Sequence, residues 1–74
     1  MNDLQNKIEI IKNKLLCLYN IKIINVSLKD TFIIFKIKHL TNKKISFYSI
    51  NKYEFLSVPI DYLIGDILTE KEGI

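Results

Sequence analysis

Seventy-four residues suffice for one domain and exclude two, and at this size folding hides only about 60% of the surface that the unfolded chain exposes. Apolar residues at 49% and charged residues at 26%, with a formal net charge of +3, are the proportions of a folded globular chain and not of a disordered one. No apolar run approaches the roughly 20 residues that a membrane-crossing helix requires.

Leu4, Ile8, Ile11, Leu15 and Leu18 follow one another at spacings of 4, 3, 4 and 3, which lines one face of a helix from Asp3 to Tyr19. Asn2 is placed to cap it with Gln5 as reciprocal partner, Asp3 and Lys7 form an i,i+4 pair, and Asn20 tolerates the left-handed conformation that ends it. The same spacing would serve as a coiled-coil seam, but about two heptads are few, and a helix lying on a sheet is the reading adopted. From Ile21 to Ile50 the period changes to two, which predicts strands near 21–29, 31–39 and 44–51. Pairing Leu28 with Ile33 and Val26 with Phe35 leaves Asp30-Thr31 as a two-residue turn, or a wider turn over 29–32. Pairing Ile37 with Phe47 leaves Thr41-Asn42-Lys43 as a three-residue loop. Residues 53–58 are expected to be an extended connector in preference to a short fourth strand. A last helix is expected from Pro59 to Thr69, burying Ile60, Leu63, Ile64, Ile67 and Leu68, with fraying from Glu70 to Ile74. Gly65 costs that helix about 1 kcal/mol against alanine, and close contact with a neighbouring element is the expected reason for it. The result is a single α+β domain over residues 1–74 in α-β-β-β-α order: a three-stranded antiparallel meander with two helices packed on one face.

Alternation assigns Ile24, Val26, Leu28, Ile33, Phe35, Ile37, Ile45 and Phe47 to the side facing the helices. The other side then carries Phe32, Ile34, Lys36 and Lys38, flanked by Ile23, Asn25 and Ser27 and by Lys44, Ser46, Tyr48 and Ile50. Two outcomes are open: an exposed surface rich in large apolar groups, or one covered by Tyr53, Phe55 and Leu56.

The net charge is the remainder of larger opposing terms. Residues 21–53 hold seven lysines against Asp30, which gives +6, while residues 54–74 hold Lys71 against five acids, which gives −4. A basic sheet beside an acidic last helix would attract different partners at its two ends, or a second copy head to tail. All 11 basic residues are lysine, and together with 15 Ile and 7 Asn they point to an AT-rich genome. The absence of arginine weighs against bidentate recognition of base edges and leaves electrostatic docking open.

The chemical inventory is thin. One cysteine, Cys17, and one histidine, His39, preclude an internal disulfide and a zinc site of the usual Cys/His kind, and there is no glycine-rich phosphate loop. Cys17 is expected to be buried and inert, and His39 to be a solvated strand-end residue beside Lys43 and Lys44 instead of part of an RNA-cleaving site. Charged residues interrupt the first 20 positions, so no signal-peptide core is visible, and a cytoplasmic location without cofactor or metal is expected. The element order resembles that of double-stranded-RNA-binding domains, a family that grips phosphates with lysines at the start of its last helix. Here that stretch is Pro59-Ile60-Asp61-Tyr62, which lacks them. The expected function is therefore that of a non-enzymatic binding or regulatory module, of the kind by which phages and mobile elements inhibit a host protein. It would dock an acidic protein partner, or pair as a homodimer, through Phe32, Ile34, Lys36, Lys38, Lys44 and Tyr48. Asp61, Asp66 and Glu70 form a second, acidic surface. Single-stranded nucleic acid on the same lysine and tyrosine face is the alternative.

Overall fold

The structure is a computed structural model that describes residues 3–72, with side chains described as far as Thr69. Helix α1 (Asp3–Tyr19) forms where the apolar spacing predicts it, and Asn20 ends it in the left-handed conformation at φ 56°. The Asn2 cap lies outside the described residues. Strands β1 (Ile21–Lys29), β2 (Phe32–His39) and β3 (Lys44–Asn51) then build one antiparallel sheet in the order β1-β2-β3. Helices α2 (Lys52–Ser57) and α3 (Ile60–Glu72) complete the chain. The α+β class, the strand order and the open meander are as expected. Among the described residues no helix is long and apolar enough to cross a membrane.

The connector is where the element order departs from expectation. Residues 52–57 are helical because Asn51 accepts a hydrogen bond from the Tyr53 amide at 2.9 Å, capping the first turn, and because Phe55 is fully buried. Six residues cannot hold a helix by propensity alone, so α2 depends on that burial. It stops at Val58, which is extended at φ −91° and ψ 153° as the residue before Pro59 must be.

The core lies between one face of the sheet and all three helices. Ile8, Ile11 and Leu15 from α1, Phe55 from α2, and Leu63, Ile64 and Ile67 from α3 pack on Ile33, Phe35 and Ile37 of β2. Phe35 sits at its centre, with the Tyr48 and Phe55 rings at 6.1 and 5.8 Å. The Lys7 ammonium does not turn to Asp3; it donates to the Val58 carbonyl and lies 5.6 Å from the Phe55 ring, fastening α1 to the α2–α3 junction. Leu18, expected in the apolar stripe, is exposed in the last turn of α1, and Cys17 is exposed as well, not buried. Gly65 has open space where a Cβ would stand, so no close neighbour requires the glycine.

Two register details decide which face each strand residue occupies. In the first hairpin the expected pairs Leu28 with Ile33 and Val26 with Phe35 are present, and Asp30 takes the positive φ of 57° in the two-residue turn. Farther back, a bulge at Ile24 shifts the register between Ile23 and Asn25, so Ile21 and Ile23 point into the core and Ile24 is exposed. In the second hairpin His39 pairs with Lys44, so the loop is Leu40 to Lys43, one residue longer than expected, with Lys43 at φ 61°. That single residue turns all of β3 over. Tyr48 and Ile50 face the core, and Ile45 and Phe47, assigned to the core by alternation, face out.

Candidate functional site

Among the described residues no helix covers the second face of the sheet, and the α2 segment that was a candidate cover packs on the opposite side through Phe55. Pairing across the strands gives the composition of the open face row by row, because directly opposed residues share a face. Lys29 and Asn51 flank Phe32; Ser27 and Ser49 flank Ile34; Asn25 and Phe47 flank Lys36; Lys22 and Ile45 flank Lys38. Phe47 is 62% exposed and Ile45 41%, and Phe32 and Ile24 are exposed too. No residue of the three strands is acidic.

Of the residues singled out from sequence, Phe32, Ile34, Lys36 and Lys38 come together on this face. Lys44 is exposed at the start of β3, but it pairs with His39 and so belongs to the other face by register. Tyr48 is a correction: it is 3% exposed, and its hydroxyl donates to Asp66 Oδ2 at 2.5 Å, a charge-assisted bond that joins β3 to α3. The aromatic group beside Lys36 is Phe47, which alternation had placed inside. Asp66 is consequently a structural partner of Tyr48, not a free acidic contact. Asp61 is exposed on α3, while the Glu70 side chain lies outside the described residues. His39 is likewise corrected from solvated to buried, at 5% exposure, with Nε2 3.2 Å from Ser46 Oγ. Its ring therefore lies on the helix side of the sheet, away from the open face.

The electrostatics of the face are unbalanced. Lys22 and Lys38 stand directly opposite one another on β1 and β2, with Lys36 in the next row of β2. Like charges in cross-strand register destabilise a sheet, whereas an opposed pair of opposite charges would contribute roughly 0.2–1 kcal/mol. Lys36 and Lys38 stand on the central strand beside exposed Phe47 and Ile45 of the β3 edge, with Phe32 at the far end of β2, which gives a mixed basic and apolar surface with no compensating carboxylate within the strands. Comparison with protein families, with curated proteins and with solved structures returns no match.

Proposed function

We propose that this chain is a non-enzymatic binding module that docks the acidic, partly apolar surface of another protein on its open sheet face and regulates that protein by occlusion. The observation that carries the reading is the opposition of Lys22 and Lys38 on an uncovered face among Phe32, Ile45 and Phe47. Such a face costs stability twice, through like-charge repulsion and through exposed apolar area, and an acidic partner relieves both costs at once. Ring spacing favours a protein over single-stranded nucleic acid. Phe32 and Phe47 stand four residues apart along the strands, about 13 Å, with Ile34 between their rows, whereas successive bases need rings close together.

The test is affinity capture from a lysate of the source organism with the wild-type chain, Phe47→Ser and Lys38→Glu, each with and without nuclease. An acidic protein retained after nuclease by wild type and lost from both variants, with far-UV circular dichroism unchanged, is the expected result. Capture that vanishes with nuclease would transfer the face to nucleic acid, and capture indifferent to both substitutions would remove the face from consideration.

A further inference from the structure

Among the described residues both edges of the sheet, β1 and β3, lack a neighbouring strand, yet they are protected very differently. β1 carries the devices that discourage strand pairing: the bulge at Ile24 bends it, and Lys22 and Lys29 stand near its ends. β3 carries almost none. It pairs with β2 without a break from Lys44 to Asn51, contains no proline, and holds one charge, Lys44, at its first position. An unbroken, nearly neutral edge with exposed Ile45 and Phe47 is a template for another strand.

Resting on the acidic-partner reading above, we infer that the partner engages β3 as an added strand, supplying an extended segment in which acidic and apolar residues alternate. Charge selects that occupant. A second copy would bring one sheet with five lysines and no acidic residue alongside another. On an incoming strand, side chains on the open face would stand one strand spacing, about 4.8 Å, from Ile45 and Phe47, and about 10 Å from the backbone of Lys38 and Lys36, a distance that flexible lysine chains reach across. Those are the acidic positions. The intervening side chains would face α3 on the side that bears Asp66, where Tyr62, one turn away, is exposed. A carboxylate there would meet Asp66, so these positions are apolar.

The probe is a capped, fluorescently labelled peptide of about eight residues alternating glutamate and valine. It is compared with a lysine and valine counterpart and with two versions of itself N-methylated at alternate residues in opposite phase, in anisotropy titrations against the intact chain. We expect the glutamate peptide to bind, one N-methylated phase to lose about tenfold or more in affinity, the other phase to lose little, and hydrogen exchange to slow at alternate amides of β3 and not of β1. Equal affinity for the unmodified peptide and both N-methylated phases overturns strand addition, and if Lys38→Glu still weakens that binding the open-face reading stands without it. Protection on β1 overturns the edge assignment, and absence of binding at about 1 mM overturns the proposal. Binding of both glutamate and lysine peptides with the same phase sensitivity retains the edge as a strand site but overturns the acidic partner on which the inference rests.

Discussion

The Tyr48 hydroxyl and Asp66 close the gap between β3 and α3 with one hydrogen bond to a charged acceptor, half-buried beside the Phe35 ring. Removing that bond in Tyr48→Phe is expected to cost about 1–2 kcal/mol, read as a lower urea midpoint. Gly65 works in the other direction. With nothing near the site of a Cβ, Gly65→Ala relieves the helix of its weakest residue and is expected to add about 1 kcal/mol, raising Tm by roughly 4–8 °C in calorimetry. Lys38→Glu separates stability from function: converting the opposed Lys22–Lys38 pair into an attractive one is expected to stabilise the fold by roughly 0.2–1 kcal/mol and to abolish partner capture. A substitution that strengthens the fold and weakens binding is the behaviour of a residue retained for an interface.

Among the helices, α2 is the one whose existence rests on two side chains. Asn51→Ala removes its cap at a cost of about 1 kcal/mol, and Phe55→Ala leaves a void in the core worth about 3–5 kcal/mol, a large part of what holds a chain of this length. Chemical denaturation followed by circular dichroism distinguishes the two: a shifted midpoint for Asn51→Ala, and loss of the cooperative transition or of most of the stability for Phe55→Ala. The helix also left a mark in the sequence. Asn51 followed by Glu54 three residues on is the pattern of a capping box, and it sits just before Phe55 and Leu56. The strands divide by how strongly their patterns constrain them. On β2, Ile33, Phe35 and Ile37 alternate with Lys36 and Lys38, so its faces could be read directly. On β3, Ile45 and Phe47 compete with Tyr48 and Ile50 for the core, and alternation is satisfied either way; the four-residue loop and the bond from Tyr48 to Asp66 decide between them. On β1 the Ile23-Ile24 doublet hides a bulge, because two adjacent isoleucines fit either phase of the alternation.

For the complete fold, the architecture was readable because one long amphipathic helix, three β-branched runs and a proline-led final helix admit few arrangements. The open face was readable in half. The residues of its central strand face outward as alternation predicts, while those of β3 depended on a turn length that residues Leu40 to Lys43 do not announce. Charge is uneven across the sheet: Lys22, Lys29, Lys36 and Lys38 lie on the bare side with no acidic residue among the strands, and the exposed Asp61 lies on the helix layer behind it. Such an imbalance would orient the proposed acidic partner before contact, so association rates are expected to fall steeply with ionic strength while dissociation changes less, a difference that stopped-flow mixing resolves. The opposed lysines also bear on how the chain reaches its folded state. Both hairpins close through loops of only two and four residues, so the meander can form from contacts near in sequence while the helices are still undocked. At that stage both sides of the sheet are bare. Repulsion between the lysine rows of nascent sheets then acts as a kinetic guard against stacking, so raising salt during refolding at fixed protein concentration is expected to increase light scattering and lower the recovered yield.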